Sequence, residues 1–195
     1  ATTPELNSIK EELNIYTDVI SPHPHSISSI TKLLTLGNYE GPNKIGDGSI
    51  IQLANSANFE TFWLSNQRPI GIYESLVTKI ALSSTKSKFL TTTFGVHNKV
   101  MDGALLPELE TILMDDSASK KIIFIHLMGT HLSYSNRYPE DFNTFKDIPF
   151  SNYKSDDNFK IINDYDNAVL YSDYVISQII KKTKALNKKS FVLYF

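Results

Sequence analysis

"KKIIFIHLMGTHLSYSNRYPEDF", residues 120–142, decides how the fold is read. Five apolar residues between Ile122 and Leu127, interrupted only by His126, have the pattern of a buried strand. Met128-Gly129-Thr130-His131 breaks that pattern abruptly, and Tyr134 and the Arg137-Tyr138-Pro139 corner follow. A buried strand that delivers two histidines, a glycine and an Arg-Tyr-Pro corner at its end points to a ligand site.

Outward from this strand, extended and helical patterns alternate along the chain. Residues 14–20, 59–65, 88–94 and 190–195 read as further strands. Residues 26–36, 49–58, 73–84, 102–116 and 161–186 read as helices, and "GPNKIGDG" (41–48) as a turn. A polar connection of roughly thirty residues after the 121–127 strand is long enough to expect a functional role. Strands separated by helices imply an α/β domain of three α/β/α layers with a largely parallel sheet. Ligands in such folds gather at the carboxyl ends of strands. Residues 21–26, 65–69 and 126–138, and whatever follows Phe195, are therefore the places to look.

Composition narrows the classes. The 195 residues suit one domain with a substantial core, and the net charge of −2 excludes a general nucleic-acid binder. No run of about 18 apolar residues is present, which excludes a transmembrane helix within the sequence. The opening "ATTPELNSIK" lacks a signal-peptide pattern, and zero cysteines rule out disulfides and thiolate metal ligands. "ATTPEL" reads as mid-loop, and "KKSFVLYF" stops on an apolar strand without a cap, so we expect residues 1–195 to be a partial domain, truncated at both ends.

Several residues suit chemistry. In "SPHPHSISS" Pro22 and Pro24 hold an extended approach, and Ser26 falls at the cap or first turn of a helix. It is either a plain cap or a hydroxyl nucleophile where free N–H groups and the positive helix end favour a phosphate. Ser21, Ser28 and Ser29 compete with it, and His23 and His25 lack a third partner at metal spacing. Asn66 and Gln67 are either a turn or substrate hydrogen-bonding groups. His97 and Lys99 are offered by "HNKVMDG", where Asp102 fits better as a helix cap. His126 fits a satisfied buried histidine. His131, beyond the glycine, fits ligand contact, donating to a phosphate oxygen or protonating a leaving group. Arg137-Tyr138-Pro139 is either part of a ligand site or a structural corner whose guanidinium pairs with a carboxylate, and Asp164, Asp166 and Asn167 fit a cap or inter-element hydrogen-bond set better than metal binding.

"FIHLMGTHLSYSNRYPEDF" resembles the His-Leu-Met-Gly-Ser-His…Arg-Tyr-Pro signature of bacterial phosphoethanolamine transferases, members of the sulfatase/alkaline-phosphatase superfamily. "TTPEL", "FETFWLSNQRPIG" and "YDNAVLYSDYVI" resemble the same family in the same order, so the likeness covers nearly the whole chain. "WLSNQ" and "SPHPHS" look more like the branch that modifies the lipopolysaccharide core than the branch that modifies lipid A. The resemblance implies an alkaline-phosphatase-like fold in the periplasmic domain of a bacterial inner-membrane enzyme, anchored through a segment absent here. It implies phosphatidylethanolamine as donor and a lipopolysaccharide or other glycan as acceptor, with a covalent phospho-enzyme intermediate. The family's threonine nucleophile matches Ser26, which would also be a metal ligand for Zn²⁺. The remaining zinc ligands, in Gly-Glu-Ser/Thr and Ser-Asp-His-Gly segments, are expected before Ala1 and after Phe195, so the 195-residue chain is expected to be inactive alone. His131 matches a histidine that contacts the phosphoethanolamine group. Lys99 corresponds to a substrate-contacting lysine, one position off the family's spacing. Other readings are a different superfamily phosphotransferase or hydrolase, and a non-catalytic glycan- or lipid-binding domain.

Overall fold

The computed structural model describes residues 1–36, 48–69, 76–91, 100–152 and 154–195. In chain order its elements are α1 (Pro4–Ser8), α2 (Ser26–Leu34), α3 (Ile50–Ser56), β1 (Glu60–Ser65), α4 (Leu76–Leu82), β2 (Lys86–Phe89), α5 (Leu105–Met114), β3 (Lys121–His126) and α6 (Asp156–Ala185). They divide between two compact units. The sheet unit comprises Tyr16–Thr93 and Asp115–His126, and the helix unit comprises Ala1–Ile15, Phe94–Met114 and Leu127–Phe195.

In the sheet unit the three strands are parallel, in the order β2-β1-β3. Thr61 to Ser65 of the central strand are all buried, as befits a parallel strand with a neighbour on each side. Edge strand β2 is exposed at Lys86, Ser87 and Lys88, and edge lysines discourage pairing with another chain. The core joins Ile51 of α3, Trp63 of β1, and Ile80 and Ala81 of α4, with Ile30, Leu34, Val77, Phe89 and Phe124 packed against it. Trp63 and Phe124 stack across β1 and β3 with ring centroids 5.8 Å apart. A capping box starts α3: Ser49 Oγ accepts from the Gln52 N–H and Gln52 Oε1 accepts from the Ser49 N–H. Register sets Ser65 level with Phe89 on one side and His126 on the other, so three strand ends share one edge.

The helix unit is organised on the 30-residue α6, with α1 and α5 packed on it. Ser155 caps α6 by accepting from the Asn158 N–H, and Asp156 and Asp157 lie in the first turn. Lys182 and Lys184 lie in the last, so both charge signs suit the helix dipole. Ala168, Tyr171, Val175, Ile176 and Ile179 are buried on α6, as are Leu105 and Leu109 on α5.

Several expectations need correction. Residues 14–20 form no strand: they have no ladder partner among the described residues, and Ile20 is 87% exposed. Residues 190–195 likewise form no strand and have no ladder partner among the described residues, with Phe191 88% exposed. An apolar pattern supplies a strand's propensity, but the ladder's hydrogen bonds require a neighbour. The helix expected at 161 begins at Asp156, because the Ser155 cap and acidic first turn precede the apolar period. β2 begins at Lys86 rather than 88, and residues 92–94 of that expected strand lie outside the described residues. The turn at 41–47 and the start of the 73–84 helix also lie outside them. The long connection contains 3-10 turns at Tyr134–Asn136 and Glu140–Phe142.

Candidate functional site

The sheet unit has a small cavity, about 50 Å³, at the carboxyl edge of its strands. Ser26 and Ile27 of α2 line it, with Ser65, Gln67, Arg68, Phe89 and His126 from the strand ends. The carboxyl-end rule thus locates it, since parallel strands aim their ends together while α2 turns its start toward them. Ser26 is the first residue of the nine-residue α2, and His25 before it provides no side-chain cap. The N–H groups of that first turn therefore remain available to an anion. Lys32 Nζ donates to the Pro22 carbonyl at 3.2 Å, fastening the Pro-His approach to the helix. Of the competing serines, Ser21 donates to the His23 carbonyl (2.8 Å) and meets Ser29 Oγ at 3.3 Å. Ser26 alone of the four lines the cavity.

At the edge of the sheet Ser65 donates to the Gln67 carbonyl (2.8 Å) and accepts from the Gln67 N–H (3.0 Å). Its single proton is thereby used. The 3.3 Å contact with His126 Nδ1 then makes Nδ1 the donor, which in neutral imidazole leaves the lone pair on Nε2. His126 also meets the Trp63 ring edge-on, with centroids 5.8 Å apart. It is half-buried and satisfied, as expected, but it also lines the cavity with Ser26, which sequence reasoning missed. The signal lay in its register with Ser65, visible only once the strands are paired. Arg68, which also lines the cavity, was missed as well.

The other expected residues are placed as follows. Gln67 lines the cavity. Asn66 is fully buried, its carboxamide oxygen accepts from Thr91 Oγ1 at 3.2 Å, and its N–H donates to the His126 carbonyl at 3.0 Å. Lys99 and His97 lie outside the described residues. His131 belongs to the helix unit and is exposed.

Within the helix unit the loop that carries His131 is anchored from two directions. Buried Asp102 accepts from the Met128 N–H at 2.8 Å and the Gly129 N–H at 2.7 Å. It was expected to cap a helix; instead Met101 occupies the cap position without a side-chain bond, and the Asp102 carboxylate serves the loop. Arg137, for which a carboxylate partner was one expectation, donates from Nε to the His131 carbonyl (3.1 Å) and from Nη2 to the Leu132 carbonyl (2.8 Å). Burial pushes its guanidinium below the usual arginine range, with Asp102 opposing. The hydrogen-bond set expected on α6 is present at Asp164 and Asn167. Asn167 accepts from the Thr144 and Phe145 N–H groups (2.9 and 2.8 Å), and Asp164 accepts from Tyr138 Oη (2.6 Å) and Lys160 Nζ (2.6 Å). Asp173, which sequence reasoning overlooked, accepts from the Glu5 and Leu6 N–H groups at the start of α1 (2.7 and 3.0 Å).

Metal binding was tested against these side chains. Among the described residues no group of three His, Cys, Asp or Glu converges to hold an ion, so a metal at Ser26 needs further ligands. Also among them, no helix is long and apolar enough to cross a membrane.

The sulfatase family model matches residues 1–195. Phosphoethanolamine transferase EptC of Escherichia coli (strain K12) is 31% identical over 203 residues, covering 100% of this chain. Phosphoethanolamine transferase CptA of Salmonella typhimurium is 31% identical over 200 residues, again covering 100% of this chain. The chain spans 34% of the length of each of these relatives. The crystal structure of the C-terminal periplasmic domain of Escherichia coli EptC, in complex with Zn, superposes with a TM-score of 0.89 at 29% identity. That match covers 95% of this chain and 54% of the other, and it identifies the fold as alkaline-phosphatase/sulfatase-like. With its whole length matched by the family model, this chain belongs to the sulfatase family.

Proposed function

We propose that this chain is part of the catalytic domain of a phosphoethanolamine transferase that acts in the periplasm and is anchored in the bacterial inner membrane. Ser26 Oγ attacks the phosphorus of phosphatidylethanolamine. The serine oxygen–phosphorus bond forms, the bond to the diacylglycerol oxygen breaks, and the hydroxyl proton leaves with diacylglycerol. A hydroxyl of a lipopolysaccharide or other glycan then attacks the same phosphorus, the serine oxygen–phosphorus bond breaks, and the proton of the acceptor hydroxyl passes to Ser26. The observation that carries this reading is Ser26 at the uncapped start of α2, lining the strand-edge cavity with Gln67, Arg68 and His126.

The chain's own groups support the chemistry. The α2 N-terminus and the Arg68 cation favour the phosphoryl oxygens as negative charge builds on them. Gln67 offers hydrogen bonds to the bound ester. Lys99 is a candidate for the same contact, and His131, on the strength of its motif, for contact with the phosphoethanolamine group. Asn66, sealed from solvent and bonded to Thr91, supports the position of Gln67 rather than reaching substrate itself. Zinc, with Ser26 as one ligand and the others from outside this chain, would lower the hydroxyl's pKa and neutralise phosphoryl oxygens.

The test uses the full-length protein exposed to phosphatidylethanolamine and analysed by mass spectrometry. The expected result is a phosphoethanolamine adduct on Ser26, absent from Ser26→Ala. An adduct of another mass assigns a different superfamily reaction, and binding of glycan or lipid without any adduct assigns a non-catalytic domain.

A further inference from the structure

We propose that Asp102 is a positioning residue for phosphoethanolamine transfer, holding the loop that presents His131 through paired hydrogen bonds to the Met128 and Gly129 N–H groups. This rests on the reading above that His131 contacts the phosphoethanolamine group. As the chain leaves β3 it loses its ladder partner, and its N–H groups need new acceptors. Each Asp102 oxygen takes one, at 2.8 and 2.7 Å. Gly129 makes this possible by adopting φ +54°, which turns two successive N–H groups toward one anion. Two residues on, the His131 N–H donates to the Met128 carbonyl at 3.2 Å, closing the turn that Asp102 holds.

Arg137 works from the other side, taking the carbonyls of His131 and Leu132. The backbone is therefore pinned before and at the histidine, while the His131 residue stays exposed. Rigid backbone beneath an accessible imidazole is the arrangement a contact group needs, because small misplacements of a positioned group cost large factors in rate. Asp102→Asn keeps the size but replaces one acceptor with an NH₂ that faces an N–H, so one of the two bonds is lost.

The experiment measures single-turnover transfer from phosphatidylethanolamine in the full-length protein for Asp102→Asn, His131→Ala and the double variant, with thermal melts as a check on folding. His131→Ala is expected to slow transfer at least about tenfold, and Asp102→Asn by about ten- to a hundredfold. If Asp102 acts through His131, the double variant is no slower than the slower single variant. Unchanged transfer in Asp102→Asn, or losses that multiply in the double variant, would overturn the assignment while leaving the His131 contact intact. Unchanged transfer in His131→Ala would overturn that contact and this inference together. Should Asp102→Asn fail to fold, Arg137→Gln carries the same cycle, since it frees the His131 and Leu132 carbonyls and leaves Asp102 in place.

Discussion

The strand-edge cavity and the His131 loop are built by opposite means. Around the cavity the backbone satisfies itself through the parallel ladder, and apolar packing of Ile51, Trp63, Ile80 and Ala81 holds the elements. In the helix unit the segments outside the helices and the start of α1 have no ladder among the described residues, and buried polar side chains take over the ladder's work. Asp102, Asn167 and Asp173 each accept from two consecutive N–H groups: Met128 and Gly129, Thr144 and Phe145, Glu5 and Leu6. One acid or amide per pair of N–H groups holds a segment that has no neighbouring strand. Regular elements present side chains at the cavity without further anchoring, whereas a loop is tied down residue by residue before it presents one.

The largest expected effect falls on chemistry at the cavity. Ser26→Ala should lower the rate of transfer by at least about a thousandfold, the scale for loss of a nucleophile. Because Ser26 is exposed and first in its helix, the melting transition should hardly move. A comparable loss of stability would make it a structural residue and place the nucleophile elsewhere. Next comes Trp63→Ala, which empties the centre of the sheet unit's core and should cost about 3–5 kcal/mol in denaturant unfolding. On the polar side Asn167→Leu preserves volume while orphaning the Thr144 and Phe145 N–H groups, and should cost about 2–4 kcal/mol. If Asn167→Leu were neutral while Trp63→Ala unfolded the protein, the paired N–H bonds would be dispensable and the contrast between the two regions would fail.

This contrast also explains what could be read before the coordinates. β1 and β3 were legible from their short apolar cores, Phe62-Trp63-Leu64 and Ile122 to Ile125, although β3 is only half-buried, and the rule about carboxyl ends led to residues 21–26 and 65–69. The residues alone left Ser26 in competition with Ser21, Ser28 and Ser29, and the family resemblance singled it out; of the four it is the one that lines the cavity. His126 was half legible: its apolar neighbours indicate burial, but its place beside Ser65 depends on a register that no single strand encodes. Residues 14–20 and 190–195 misled, since their composition is that of strands and a partner is a property of the whole fold. Among the acceptors of the helix unit Asn167 was expected, whereas Asp102 and Asp173 were the least legible. Asp173 acts 168 residues from Glu5 and Asp102 acts 26 residues from Met128, separations at which local pattern carries no information. A buried carboxylate looks in sequence like any cap.

The smallest predicted effect probes the polar side through pH. Tyr138 donates to Asp164, and burial, with that hydrogen bond adding to it, pushes its hydroxyl from 10.0 up to about 12. A tyrosine whose pKa is raised by folding stabilises the native state as long as it stays neutral in both states. That contribution is complete below about pH 10, where unfolded tyrosine titrates. It is lost as pH rises from there through about 12, because the unfolded chain releases its proton first. Tyr138→Phe should lose about 1–2 kcal/mol at neutral pH through the missing bond to Asp164. Between pH 10 and about 12 its stability should fall less steeply than the parent's, with the remaining slope coming partly from Tyr171, also raised by burial. Denaturant unfolding across that range, with tyrosinate absorbance followed in parallel, measures both. Parallel slopes for parent and variant would mean that Tyr138 ionises in the folded state as readily as in the unfolded one, and that the loop's buried hydrogen bonds admit water.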